Sequence, residues 1–213
     1  MSFFEKIKVL NKNSNIRKYL DNVIGKLSSS DIIAKDILKS LNNKKTKYVF
    51  DEDIKGNYYV YLNDTIYLSS KQSDKNNYER LCVISHECIH SIQPKWLQNI
   101  NFIFSNLEII CFVIFIILSF LKKSNVYLYS VYLVIVTLSI VSRTILELWA
   151  IKKAPQISKA YLDNKKLNKE EVQIVDDYYT FLSKLLTPFA IIQIFFFKLI
   201  RLLIISIITF YKF

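Results

Sequence analysis

Three long apolar runs in the second half of the chain limit what it can fold into. They cover residues 102–121, 126–142 and 185–211 and consist mainly of Ile, Leu, Phe, Val and Tyr. Each is close to the roughly 20 apolar residues that an α-helix needs to cross a bilayer. The whole chain has two glycines and three prolines, so few residues interrupt helices. The sequence therefore predicts a mainly α-helical protein with a membrane domain of about three helices.

The charged residues are distributed unevenly. The net charge is +11, and residues 1–100 and 143–184 hold most of the 29 lysines and arginines. The short segment between the first two apolar runs holds only Lys122 and Lys123. Because basic segments stay on the cytoplasmic side, we expect a multi-pass cell-membrane protein whose polar part faces the cytoplasm. The basic residues form no nucleic-acid motif, so we expect them to face membrane lipid and not nucleic acid.

The first hundred residues predict a small polar domain. Apolar residues at helical spacing predict amphipathic helices over 2–26 and 31–42. Short β-branched and aromatic runs predict three strands, at 48–50, 58–62 and 65–68. Asn63-Asp64 is expected to form a hairpin turn between the last two. A helix over 78–93 follows, and Pro94 is expected to end it.

The predicted helix 78–93 contains the motif His86-Glu87-Cys88-Ile89-His90. Residues four apart share one face of a helix, so His86 and His90 can bind a single metal ion. Glu87 lies beside that face, where it can take a proton from a metal-bound water. This H-E-x-x-H pattern is typical of zinc hydrolases. It predicts Zn²⁺ as the cofactor, with Glu87 as the catalytic base.

A catalytic zinc site needs a third protein ligand and one open position. The chain has no further histidine, so Asp or Glu is expected to supply the ligand. We predict Glu147, because the helical hairpin would leave the membrane again on the same side as His90. Three other carboxylates remain as alternatives: Asp163, Glu170 and Glu171. Cys82, one turn before His86, is a further alternative, although a small buried apolar role suits it better.

Three other polar residues are candidates for supporting roles. Arg143 lies one turn before the predicted third ligand and can orient it or bind a substrate carboxylate. Gln93, just after the motif, can contact the site. Glu108 lies within the first apolar run, and it can pair with Lys198 or Arg201 of the third run.

At this point the sequence resembles the YugP-type membrane zinc metallopeptidases of bacteria. The resemblance rests on HECIHSIQ at 86–93, on the membrane hairpin and on ELWAIKKA at 147–154. These segments are similar to the family's HExxHxxQ and E-x-x-A motifs. The strand at 65–69 and the helix at 31–42 also match, so that the resemblance covers roughly residues 30 to 210.

The resemblance implies a fold and a reaction. The fold would be a zincin-like catalytic domain of the gluzincin kind, joined to the membrane helices. His86, His90 and Glu147 would be the zinc ligands and Glu87 the catalytic base. The implied activity is hydrolysis of peptide bonds in a peptide or protein substrate, including membrane proteins.

On this interpretation the chain has three parts. Residues 1–100 would form the cytosolic zincin-like domain, with the motif helix at 78–93. Residues 101–154 would form the transmembrane hairpin and the returning helix that carries the third ligand. Residues 155–213 would form a connecting segment and the C-terminal membrane helix.

Two other interpretations stay open. Ste24- and HtpX-like membrane proteases also place a glutamate after membrane helices, but they usually have Asp four residues later, where this chain has Ile151. A non-enzymatic membrane protein that keeps a structural zinc site is the second alternative. The YugP-type pattern itself usually has Gly at position 89 and often Asp at position 149, where this chain has Ile and Trp.

Overall fold

A computed structural model describes most of the chain, namely residues 14–51, 53–54, 56–69, 77–121 and 123–211. The helices are α1 Ser14–Gly25, α2 Ser30–Ser40, α3 Arg80–Ile92, α4 Lys95–Phe120, α5 Val126–Asp163 and α6 Lys169–Tyr211. The strands are β1 Lys47–Asp51, β2 Tyr58–Val60 and β3 Thr65–Ser69. The protein is mainly helical with one small sheet, as predicted. The start of the helix predicted over 2–26 lies outside the described residues.

The described residues group into two compact units. One contains the chain up to Ile92 together with Lys152–Ser183, and the other contains Gln93–Ile151 together with the chain from Lys184 onward. The long helices α5 and α6 therefore each contribute residues to both units. The segment Lys152–Ser183, which follows the helical hairpin in the sequence, belongs to the same unit as the N-terminal residues.

The sheet of the first unit has the strand order β1-β3-β2. Strands β2 and β3 are antiparallel, with Tyr59 opposite Ile66, which confirms the predicted hairpin. The turn includes Asp64 at a φ of 48°, a left-handed conformation that Asp tolerates better than most residues. Strand β1 pairs with β3 in parallel, and its Lys47 lies opposite Thr65. The central strand β3 is the best buried of the three.

One apolar core fills the first unit. Helices α1 and α2 bury one stripe each, and the ends of α5 and α6 add Leu162 and Val175 to the same cluster. Fully buried Arg80 donates from Nη2 to the backbone oxygen of Ile24, near the end of α1, at 2.8 Å. The last carbonyl groups of a helix have no hydrogen-bond donor within the helix, so a side-chain donor such as this one satisfies them. The core thus fixes the start of α3, the helix that carries the motif.

The second unit consists of long apolar helices. Within the described residues, α4, α5 and α6 are each long and apolar enough to cross a membrane. A small interior cluster forms where Phe115, Tyr132 and Ile205 meet, one from each helix. Most other apolar side chains of these helices point outward, as expected for helices that face lipid.

Two predicted helix boundaries were wrong. Helix α3 ends at Ile92, and Pro94 directly precedes α4, which begins seven residues before the predicted 102. Helix α5 was expected to end near Ala154, but it continues through Pro155 to Asp163. An interior proline costs about 3 kcal/mol. Continuation of the helix buries Tyr161 and Leu162 in the core. Burial of one large apolar side chain stabilises a fold by about 1.5–3 kcal/mol, which offsets the cost of the proline.

Candidate metal centre

Helix α3 brings the two histidines of the motif together. The Nε2 atoms of His86 and His90 are 3.1 Å apart, and the two rings are nearly perpendicular, at 83°. Both side chains are partly buried. The motif helix was predicted over 78–93 and is found at Arg80–Ile92. The two imidazoles therefore face one point in space, as their spacing of four residues predicted.

The carboxylate of Glu147, on α5, lies beside them. The candidate ligand atoms of His86, His90 and Glu147 all lie within 4.8 Å of one another. This group can hold a metal ion. The structure thus brings together the three residues that were predicted as ligands, although they come from two helices with the whole hairpin between them in the sequence.

The geometry of the imidazoles suits chelation of one ion. Zinc–nitrogen bonds of about 2.0–2.1 Å at a tetrahedral angle would place the two nitrogens about 3.4 Å apart. The observed 3.1 Å is close to this value. A direct hydrogen bond between one protonated and one unprotonated nitrogen would have a similar length. The donor set of two imidazoles and a carboxylate suits several divalent ions, including zinc.

The other carboxylates considered as ligands do not join the group in the part of the chain that the structure describes. Glu171 instead binds Lys26 and accepts a hydrogen bond from the backbone of Asn168 at 3.1 Å. Asp163 ends α5, four turns beyond Glu147. Glu170 is exposed in the first turn of α6. Of the acidic candidates, Glu147 is therefore the one that lies with the histidines.

The cysteines of the motif helix have the chemistry of buried thiols. Burial and, to a smaller extent, the charge of Glu79 together raise the pKa of the Cys82 thiol to about 12. Burial also raises the pKa of Cys88, which is fully buried. Because the thiolate is the form that binds metals, a protonated Cys82 is a poor ligand. Cys82 is also not part of the metal-binding group.

Glu87 lies next to His86 on α3 and is 8% exposed. A carboxylate in such a position is largely shielded from bulk water, which strengthens its interactions with nearby charges. Glu87 is thus adjacent in sequence to a candidate ligand and largely shielded from solvent.

Two hydrogen bonds lie next to the candidate ligands. In the first unit, Ser158 Oγ donates to Ser85 Oγ at 2.9 Å, and both side chains are fully buried. In the second unit, Gln93 Nε2 donates to the backbone oxygen of Leu146 at 2.7 Å. The residues Ser85 and Leu146 directly precede His86 and Glu147. Each bond thus holds the residue directly before a candidate ligand, through the side chain of Ser85 and through the backbone oxygen of Leu146.

Glu147 also forms an ion pair with Arg143, one helical turn earlier. The distance from Arg143 Nη2 to Glu147 Oε1 is 2.6 Å, and the arginine side chain is 49% exposed. Of the roles considered for Arg143, the structure shows the contact with Glu147. A guanidinium that holds one carboxylate oxygen restricts the rotation of the group while the other oxygen can still face a metal.

Sequence reasoning did not identify Ser85 and Ser158. Each is a small polar residue on a helix face that is otherwise apolar, which is a weak signal without a second sequence for comparison. The acceptor of Gln93 could not have been found at all, because it is a backbone oxygen.

Comparisons of the chain with protein-family models, with curated proteins and with solved structures gave no match.

Proposed function

We propose that the protein is a membrane-bound zinc metalloendopeptidase of the gluzincin kind, similar to the YugP-type enzymes. The main support for this proposal is that the candidate ligand atoms of His86, His90 and Glu147 lie within 4.8 Å of one another. Two imidazoles and a glutamate are the ligand set of catalytic zinc in several peptidases. The motif alone accounts for the histidines, and the helix that returns from the apolar hairpin supplies the carboxylate.

The size of the ligand group supports a catalytic role over a structural one. Structural zinc sites usually have four protein ligands, whereas catalytic sites have three and leave a position for water or substrate. Within the described ranges, the group contains three candidate residues and no fourth His, Cys, Asp or Glu. The raised pKa of Cys82 also disfavours its use as a fourth ligand.

In this proposal each residue has a defined task. His86, His90 and Glu147 would hold the zinc, which lowers the pKa of a bound water toward neutrality and polarises a carbonyl group. The carboxylate of Glu87 would accept a proton from the attacking water and then donate it to the leaving amine. Arg143 would keep the Glu147 carboxylate oriented through its 2.6 Å contact.

The same proposal includes a location and a substrate class. The three apolar helices would span the cell membrane, with the zincin-like unit on the cytoplasmic side, where basic segments are retained. Anionic lipid would contact the basic surface. The substrate would be a peptide or protein, including proteins of the membrane, and nucleic acid would not be a partner.

The decisive experiment compares two single variants of the purified full chain in detergent. In Glu87→Gln we expect stoichiometric zinc but no cleavage of unfolded casein, because the ligands remain while the base is lost. In Glu147→Ala we expect loss of both zinc and cleavage. Glu170→Gln, which changes an exposed carboxylate, is the matched control. Zinc is measured by elemental mass spectrometry.

Three outcomes would contradict the proposal. Wild-type cleavage by Glu87→Gln would remove Glu87 from the mechanism. Stoichiometric zinc in Glu147→Ala would remove Glu147 from the ligands. A wild-type protein that binds zinc tightly but cleaves neither casein nor a panel of membrane proteins would favour the structural-zinc alternative.

A further inference from the structure

Polar contacts align the three apolar helices of the second unit. Ser105 Oγ of α4 and Ser139 Oγ of α5 share a hydrogen bond at 3.0 Å, and the ammonium group of Lys198, on α6, also donates to Ser139. Arg201 donates from Nε to Glu108 at 2.6 Å, which joins α6 to α4. Of the two pairings considered for Glu108, the structure shows the one with Arg201. Ser105, Ser139 and Lys198 therefore mark one level that the three helices share.

The directions of the helices allow other residues to be compared from that level. Helices α4 and α5 form the two arms of the hairpin, so they run in opposite directions. Ser206 follows Lys198 and shares a 3.0 Å hydrogen bond with Tyr129, which precedes Ser139, so α6 also runs opposite to α5. The open end of the hairpin, where α4 begins, is therefore reached by lower residue numbers on α4 and α6 and by higher numbers on α5.

Two exposed tryptophans lie toward the open end of the hairpin. Trp96 is about 13.5 Å from Ser105 and Trp149 about 15 Å from Ser139, at 1.5 Å per residue along each helix. The two tryptophans thus lie at nearly the same level, and they are 64% and 39% exposed. Tryptophan is enriched where a bilayer meets water, because its large ring is apolar and its N–H group is polar. This level therefore has the composition of a membrane boundary.

Glu147 lies at the same boundary. It precedes Trp149 by two residues, about 3 Å along α5, and the apolar run 126–142 ends five residues before it, about 7.5 Å away. The headgroups form a layer about 5–7 Å thick on each side of the hydrocarbon core of a bilayer. The third candidate ligand thus lies between the end of the apolar run and the tryptophan, at the depth of this layer.

Helix α6 has apolar side chains at the level of Glu147. Phe189 and Ile192 lie about 9–14 Å before Lys198, and Glu147 lies about 12 Å beyond the Ser139 level on α5. Both apolar side chains are exposed. The surroundings of Glu147 within this unit therefore suit lipid better than open water.

We propose that the metal centre lies at the depth of the lipid headgroups and cleaves its substrate in the segment that directly adjoins a membrane helix. This inference rests on the proposed peptidase function. A membrane protein holds the residues at the end of its apolar span at headgroup depth, so they stay level with Glu147. A bond farther along the chain spends most of its time in water and is present at this depth at a lower effective concentration. The preferred bonds would lie within about five residues of the span, which corresponds to about 7.5 Å.

The depth of the site can be measured with the chain's two tryptophans. The full-length variant Trp96→Phe, in which Trp149 is the one remaining tryptophan, is reconstituted in vesicles of phosphatidylcholine brominated near either the glycerol end or the methyl end of the acyl chains. We expect bromine near the glycerol end to quench Trp149 more strongly. Trp149→Phe, which reports on Trp96, should show the same order. Absence of quenching of Trp149, or stronger quenching by bromine near the methyl end, would overturn the proposed depth.

The substrate class is tested with two synthetic substrates in unbrominated vesicles. In both, a Leu/Ala membrane helix precedes the same casein segment, which is joined directly in one and through a flexible Gly/Ser linker of about twenty residues in the other. Such a linker spans about 25 Å on average. We expect the wild-type chain to cleave the directly joined substrate about tenfold faster, and Glu87→Gln to cleave neither. Equal rates, or faster cleavage after the linker, would overturn the inference.

The inference and the proposed function fail in different ways. Cleavage of free casein together with equal cleavage of the two membrane substrates would keep the peptidase and remove its preference for bonds beside a membrane helix. A wild-type chain that cleaves none of the three would contradict the proposed function and the substrate class together. The quenching measurement needs neither zinc nor cleavage, so it decides the depth of the site in either case.

Discussion

Gln93 donates a hydrogen bond from its side-chain amide to the backbone oxygen of Leu146, the residue directly before Glu147, at 2.7 Å. Both residues are buried. In the sequence Gln93 follows His90 by three residues. This bond therefore links the chain just after the motif helix to the turn of α5 that carries the third candidate ligand.

We predict that Gln93→Ala lowers zinc affinity by about 10–100-fold, the usual effect of removing a group that positions a metal ligand. The reason is that the turn before Glu147 loses its fixed hydrogen bond. Affinity is measured by competition with a fluorescent chelator. The control is Gln173→Ala, since Gln173 is exposed and, among the residues that the structure describes, hydrogen-bonds only Asp177, one turn later.

A double variant shows whether Gln93 acts through Glu147. If it does, adding Gln93→Ala to Glu147→Ala should not lower the weak zinc affinity that the two histidines retain, because the ligand that Gln93 positions is already absent. Additive losses in the double variant would contradict this role.

Metal binding should stabilise the folded chain. A ligand that binds only the folded state at 100 times its Kd adds about 2.7 kcal/mol to the free energy of unfolding. We therefore expect the melting temperature in detergent to rise with zinc and to fall on chelation. The rise should be absent in Glu147→Ala and present in Glu87→Gln. A zinc-dependent rise in Glu147→Ala would show that the stabilising ion binds elsewhere.

Cys82 should be dispensable for metal binding. Burial and the charge of Glu79 raise its pKa to about 12, so the thiol is protonated at neutral pH. Cys82 also lies outside the candidate ligand group. We expect Cys82→Ser to bind zinc with wild-type stoichiometry and affinity. In the native wild-type chain, alkylation of Cys82 at pH 8 should be slow and should accelerate only above about pH 11. A loss of zinc in Cys82→Ser would favour the closed, structural site.

Breaking the Glu108–Arg201 pair should destabilise the membrane unit strongly. We expect Glu108→Gln to lower the free energy of unfolding by about 3 kcal/mol or more, because Arg201 would remain charged without its partner. Unfolding is followed in mixed detergent. The double variant Glu108→Leu, Arg201→Leu should be less destabilised than the single one, since it leaves no unpaired charge. Equal losses in both would mean that the pair itself contributes little.

Residue spacing and the apolar runs of the sequence predicted most of the residues found at the candidate metal centre. The spacing of four residues placed His86 and His90 on one face, and the apolar runs located the helices on which Glu147 returns. The pairing of Glu147 with the histidines required no detailed geometry, because a hairpin that crosses an apolar layer twice must end on the side where it began. This argument left Asp163, Glu170 and Glu171 as alternatives, and it is the structure that places Glu147 with the histidines.

The remaining features depend on contacts that no single segment encodes. The sequence suggested that α5 ends near Pro155, whereas the burial of Tyr161 and Leu162 in a distant core keeps the helix intact. The parallel pairing of β1 with β3 joins strands that are not neighbours in the chain. The bond from Gln93 to a carbonyl oxygen likewise has no side-chain signal at its acceptor.

The separation of the ligands along the chain has a consequence for biosynthesis. When a ribosome has released the motif, the two histidines exist without their carboxylate, which is made only after the whole hairpin. Under the proposed function, the nascent protein cannot cleave its surroundings while the hairpin formed by its first two apolar segments is still being inserted. The protein would then become able to hydrolyse peptides only after both helices of the hairpin have been inserted and Glu147 lies beside the histidines.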